Sequence, residues 1–277
     1  MRALLVLLAL AAPASAAASS EDDWLTGLTD RVVDDLTAGK SLNVLVHVPL
    51  CDNTIIACGN AKLGDGDTPS TNLYWSTTPG FGQWFQRKGS GWTRVSVETK
   101  DTGDKDVLEK HIYRRTIATP AAWRKRGAPK QFTLEVEIRA WRGSAIDRAL
   151  AAYANDVSGK GSSAQLVAFV GHNRLMDLDT FAWPEPGKDV KGAIAIACDT
   201  APYMKKQVSA ATRVPLLMTA DLLFANAAPL EAAVLAFARG GGYAQIRKDA
   251  ATAYAGVRKR PVEKVIGAFT NPGDRRW

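Results

Sequence analysis

The sequence predicts an α/β fold in which a mostly parallel sheet carries helices on both faces, and three observations predict it. Four short runs, Leu42 to Leu50, Leu166 to Val170, Ala193 to Ala197 and Val214 to Thr219, are apolar at nearly every position, as strands buried on both faces are. Segments with apolar residues at helical spacing alternate with them, the pattern of parallel strands joined by helices. The last three runs end in polar residues, at Gly171-His172-Asn173, at Cys198-Asp199-Thr200 and near Asp221, where open α/β sheets place their ligands.

The first element is not expected to belong to the fold. Arg2, the apolar run Ala3 to Ala12 and the small-residue pattern Ala14-Ser15-Ala16 make residues 1–16 a cleavable signal peptide. A membrane span needs roughly 20 apolar residues; this run breaks at Pro13 and turns acidic by Glu21, and no later stretch is long enough. No Cys directly follows the apolar run, so a lipoprotein is not expected. Residues 17–277 are then expected to form one exported, soluble α/β domain, periplasmic or secreted, of a size that buries a substantial core.

Trp24, Leu25, Leu28, Val32, Val33 and Leu36 place a helix over 24–38, stopped by Gly39, and the first core strand follows at 42–50. Residues 51–71, rich in Gly, Asp, Asn and Thr, form a loop long enough to suggest function. Residues 72–85 read as helical with a break at Pro79-Gly80, followed by strands at 93–99, 111–118 and 132–140, with an exposed connection at 119–130. A helix over 144–157 is expected to start on Ser144 with Asp147 in a capping box. Strands at 166–170, 193–197 and 214–219 precede helices at 229–239 and 243–258 and a short one at 261–268.

Three cysteines leave at least one unpaired in an oxidising compartment. Cys51 and Cys58, seven residues apart across one loop, are the pair that can join, which leaves Cys198 free. The net charge of +7 includes basic clusters at Arg114-Arg115, Arg124-Lys125-Arg126, Arg258-Lys259-Arg260 and Arg275-Arg276. They are short and only Trp123 adjoins one, so they read as solvated faces rather than a nucleic-acid surface; a polyanion-binding envelope protein is the third functional class they leave open.

The chemistry concentrates on His172 and Cys198. If their strands are neighbours, imidazole and thiol lie one strand spacing apart, about 4.8 Å, and a neutral histidine there can take the thiol proton and create a nucleophile. Taken singly, a Cys ending an apolar run is a small core residue and a His after Gly a turn residue. Asp177, Asp179, Asp199 and Asp221 near strand ends could form an acidic pocket or serve as ordinary loop and cap carboxylates. Asp52, Asp65 and Asp67 match no EF-hand spacing, and no dinucleotide, phosphate-loop or zinc pattern occurs, so neither metal nor cofactor is expected. His47 and His111 read as structural, and Trp75, Trp84 and Trp92 as sheet cover or a glycan platform.

Val170-Gly171-His172-Asn173 followed by Ala195-Ile196-Ala197-Cys198 resembles the caspase-like fold shared by caspases, legumains, clostripain and gingipains, in which His-Gly ends one core strand and an Ala-Cys motif the next. Val214 to Thr219 and the helix from Leu230 look like the strand and helix that follow the nucleophile there. The resemblance, over about 166–240, implies His172 as general base, Cys198 as nucleophile, an oxyanion site around the Cys198 N–H with Gly171, Asn173 and Asp199 nearby, and a peptide or protein substrate. It also implies that Asp177 and Asp221 would suit a basic substrate side chain. Two departures stand out: Asn173 where the family has Gly, and loop chemistry at Trp183-Pro-Glu-Pro-Gly187 where a crossover helix is usual. Ala61-Lys-Leu-Gly64, Asn72-Leu-Tyr-Trp75, Leu175-Met-Asp177 and Tyr203 are similar to a group of bacterial exported proteins, a resemblance that brings no activity with it. The two functional readings are therefore a cysteine endopeptidase-like hydrolase and a non-catalytic binding or partner-recognition module of the same fold.

Overall fold

The computed structural model describes residues 21–224 and 226–277, so the signal peptide expected at 1–16 lies outside the described residues. Among the described residues eight strands form one sheet: β1 Leu42–Pro49, β2 Thr93–Glu98, β3 Val107–Ala118, β4 Gln131–Trp141, β5 Leu166–Gly171, β6 Lys191–Ala197, β7 Arg213–Thr219 and β8 Phe269–Thr270. Their spatial order is β2-β3-β4-β1-β5-β6-β7-β8. The run from β4 to β7 is parallel, while β2 and β3 add antiparallel to one side and β8 to the other.

The helices are α1 Glu21–Thr37, α2 Phe81–Trp84, α3 Ala121–Arg124, α4 Ile146–Val157, α5 Thr200–Val208, α6 Ala228–Ala238 and α7 Tyr243–Arg258. Successive residues of a strand face opposite sides, and here both sides are covered. Leu166, Ala168 and Val170 of β5 and Ile194 and Ile196 of β6 pack with α1, α6 and α7. Val167 and Phe169, Ala193 and Ala195 pack with α4 and α5 on the other face. That is why these strands carry no polar alternation.

Residues 72–85 depart from the helix expected there. Turns occupy most of the segment, with one helical turn at α2. The Asn72 side chain takes the Tyr74 N–H, and the Ser76 and Thr77 hydroxyls donate to the carbonyls of Asn72 and Leu73, a competition that holds the backbone out of a regular helix. The tryptophans tie this segment down: Trp75 donates its indole N–H to Glu109 on β3, and Trp84 and Trp92 both donate to Glu231 on α6. The capping box expected on Ser144 is also replaced, by a 3₁₀ turn over Gly143–Ala145 and an N-cap at Ala145 without a side-chain bond. Asp147 pairs instead with Arg174 at 2.7 Å. The segment 261–268 is two 3₁₀ turns, Val262–Lys264 and Ile266–Ala268, followed by β8. No helix among the described residues is long and apolar enough to cross a membrane.

Candidate active site

The carboxyl ends of β1, β5, β6 and β7 lie along one edge of the sheet and deliver four segments to one place. The register pairs Gly171 with Ala197, so His172 and Cys198 are each the next residue beyond the last paired position of two neighbouring strands. Gly171 adopts φ 144°, a conformation that favours glycine, and a Cβ there would lie 3.3 Å from the Pro49 carbonyl oxygen and 3.5 Å from the Tyr74 ring. The chain can turn His172 out of β5 at this point only with a glycine.

His172 is held from the side away from its strand. Its Nε2 lies 2.6 Å from Asp177 Oδ2, and Arg174 bridges Asp177 at 3.2 Å to Asp147 at 2.7 Å. Burial pushes the Asp177 carboxyl up, but the hydrogen bond and charge of His172 and the contact with Arg174 outweigh it and hold the group below its ordinary value. A carboxylate only accepts, so Nε2 carries the hydrogen, and in the neutral form of the ring the lone pair lies on Nδ1. Asp177 is thereby engaged with His172 and Arg174.

Cys198 sits on a tight turn between β6 and α5. Asp199 takes the left-handed conformation, φ 47° and ψ 52°, and its N–H donates to the Asp221 carbonyl at 2.9 Å. Such strain in a residue other than glycine persists only where the surroundings impose it. A buried threonine pair does so: the Thr200 N–H donates to Thr219 Oγ1 at 3.1 Å, the two hydroxyls lie 2.9 Å apart, Thr200 Oγ1 donates to the Ala195 carbonyl, and Thr219 Oγ1 donates to that of Ala197. Thr219→Val keeps the shape but strands the Thr200 N–H and the Ala197 carbonyl in the core, and should lower stability by about 2 kcal/mol in urea unfolding.

Asn173 joins the two turns. Fully buried, it accepts the Leu175 N–H at 3.3 Å and donates to the Asp199 carbonyl at 3.2 Å. Its backbone, at φ −81°, does not require the glycine found there in the resembling peptidases. The Cys198 thiol is free, while Cys51 and Cys58 are disulfide-bonded. Sγ lies 3.6 Å from the Leu223 carbonyl oxygen, and among the described residues no hydrogen bond joins it to His172.

Tyr74 is the residue the sequence did not reveal. Burial first, and then the neighbouring Cys198 thiol, raise its phenol above the ordinary value, and its ring flanks Gly171. Asn72 places it: Oδ1 accepts the N–H groups of Cys51 and Tyr74, and Nδ2 donates to the carbonyls of Cys51 and Asp65. The available signal was the long polar loop 51–71, which leads from a core strand directly to this segment.

Other candidates lie elsewhere or are occupied. Asp52 accepts from Thr54, Asp65 from the Asp67 N–H, and Asp67 pairs with Arg142. Among the described residues no group of three or more His, Cys, Asp or Glu is disposed to hold a metal. His111 bonds Glu109 and Tyr113, and His47 bonds Asp156 and Trp141. Several basic residues pair within the fold, Arg114 with Glu135, Arg126 with Asp30 and Arg276 with Asp274. Asp221 accepts the Leu222 N–H beside Cys198. No protein-family model, curated protein or solved structure matches the chain.

Proposed function

We propose that this chain is an exported cysteine-peptidase-like hydrolase that cleaves a peptide or related amide bond through a thioester. The observation that carries the reading is the Gly171–Ala197 register, which sets His172 and Cys198 side by side at the carboxyl edge of the sheet. The caspase-like resemblance draws support from the same placement, with β7 and α6 following the cysteine strand. Export draws support from the Cys51–Cys58 disulfide, a bond of oxidising compartments.

In this reading Nδ1 of His172 takes the Cys198 proton, and the thiolate attacks the substrate carbonyl carbon. The C–S bond forms as the C=O electron pair moves to oxygen, where the backbone N–H of Cys198 and then that of Asn173 are the assigned donors. The Asp199 N–H is already committed to Asp221. Collapse breaks the C–N bond, the amine leaves with the proton from His172, and a water deprotonated by His172 hydrolyses the thioester and restores the thiol. The N-terminus of α5, whose N-cap Asp199 is the residue after Cys198, presents its partial positive charge to this turn.

The lean of Sγ toward Leu223 favours a second reading, a binding module with an inert thiol. Iodoacetamide labelling of Cys198 in the folded, non-reduced protein separates the two. A fast rate near neutral pH that drops at least roughly tenfold in His172→Ala is the outcome expected of the hydrolase. A slow rate unchanged by that substitution would sink the dyad and leave the binding module.

A further inference from the structure

Beside the thiol lies a cavity of about 200 Å³ whose lining includes Asp221, Leu223, Tyr254, Arg258, Arg260 and Lys264. Leu223 belongs to both places: its carbonyl oxygen is the one 3.6 Å from Cys198 Sγ. Leu223 therefore links the thiol to this cavity. Three cationic side chains face one carboxylate there, and among the described residues none of the three cations enters an ion pair or a side-chain hydrogen bond. Among the described residues Arg258 meets the Phe224 ring, 5.5 Å from its guanidinium carbon. The sign of this cavity is opposite to that of the acidic pocket suggested by Asp177 and Asp221, because Asp177 is held by His172 and Arg174 and Asp221 stands among cations.

The surroundings indicate a polypeptide. Among the described residues five large apolar side chains are exposed, and three of them, Met176, Tyr203 and Leu222, stand on the segments that follow β5, β6 and β7. Leu222, 68% exposed, lies at this cavity itself. Apolar groups left in water around a reactive edge and a charged recess beside it together match an extended chain with apolar residues flanking a carboxylate.

We propose that the Arg258–Arg260–Lys264 cavity is a subsite for a carboxylate of the peptide substrate, borne by a side chain or by the chain terminus next to the bond held at Cys198. This rests on the hydrolase reading for the bond that is cut, but the recognition itself is a binding property. Guanidinium groups grip carboxylates with two parallel hydrogen bonds, and exposed cations do so more weakly as salt rises.

The test uses the full chain carrying Cys198→Ala, which binds without turnover, and fluorescein-labelled hexapeptides alike in sequence with Leu on either side of one variable position. Fluorescence anisotropy should show the Asp or Glu peptide, amidated at its C-terminus, binding at least roughly tenfold tighter than its Asn or Gln counterpart. Arg258→Gln combined with Lys264→Gln should erase that difference while the thermal midpoint stays put, since both side chains are exposed. If the preference follows a free terminal carboxylate instead of the acidic side chain, the chain terminus is the source. Equal binding of acidic and amide peptides, no binding of either, or a preference for an Arg peptide overturns the subsite. The iodoacetamide comparison with His172→Ala reports separately on the hydrolase reading, so either can fail without the other.

Discussion

Asp177→Asn is expected to remove most of the reactivity of Cys198 without unfolding the protein. The Asp177 carboxylate, 2.6 Å from His172 Nε2, can only accept, which fixes the hydrogen on Nε2 and leaves Nδ1 as the base. An amide at the same position can present its N–H groups to Nε2, which moves the hydrogen to Nδ1 and leaves no lone pair for the thiol. Hydrolysis of an amide substrate should then fall by about a hundredfold or more, the usual worth of a positioned general base. Alkylation by iodoacetamide should fall about tenfold, since a thiol keeps some reactivity unaided. Asp147→Asn is the matched control: it removes the outer partner of Arg174 at an exposed site and leaves the His172–Asp177 bond in place. Its effect should stay within about twofold, as expected of an exposed ion pair. Loss of reactivity in both variants would point to disruption of the loop, and loss in neither would remove Asp177 from the mechanism.

The core was legible because its signal is local and repeated. Every residue of β5 to β7 is buried, and a run that is apolar at each position has few other readings. The placement of His172 and Cys198 at adjacent strand ends followed from those runs alone, once β5 and β6 proved to be neighbours. What stayed hidden depends on contacts distant in sequence. Tyr74 reaches the site only because Asn72 binds Cys51 on the far side of a 21-residue separation. The helix α5 was masked by Pro202, which a first turn tolerates, although Ala201, Met204 and Val208 carry its buried stripe. The bond between Asp177 and His172 spans only five residues, yet loop conformation decides it, and no periodicity records that. The basic cavity joins the loop after β7 to the end of α7, so a cluster that reads as solvated surface in sequence gains a neighbour in space.

Stability should decline as the pH drops below about 6.5, the ordinary histidine value, with His47 responsible. This ring is fully buried between two partners: Nε2 lies 2.9 Å from Asp156, and Nδ1 accepts the Trp141 indole N–H at 3.1 Å. An indole only donates, so Nδ1 has to be bare and the native imidazole is neutral. Burial holds His47 below its ordinary value, with the Arg139 charge adding to it, against the pull of Asp156. The unfolded chain therefore takes up this proton at a higher pH than the folded one. The contribution of His47 is complete above about pH 6.5 and is lost as the pH falls from there toward the folded value, at up to about 1.4 kcal/mol per pH unit. Asp156 acts in a lower window: burial raises it, but the bonds from His47 and the Ser162 N–H lower it further, so its contribution persists until its own folded value is crossed. His47→Ala leaves Asp156 Oδ2 and the Trp141 N–H without partners in the core and should cost about 3–5 kcal/mol. His47→Gln keeps an acceptor and a donor but cannot titrate, so urea midpoints between pH 7.5 and 5 should stay closer to wild type at neutral pH and lose the His47 part of the slope. A wild-type slope that survives unchanged in His47→Gln would assign the acid sensitivity to another group.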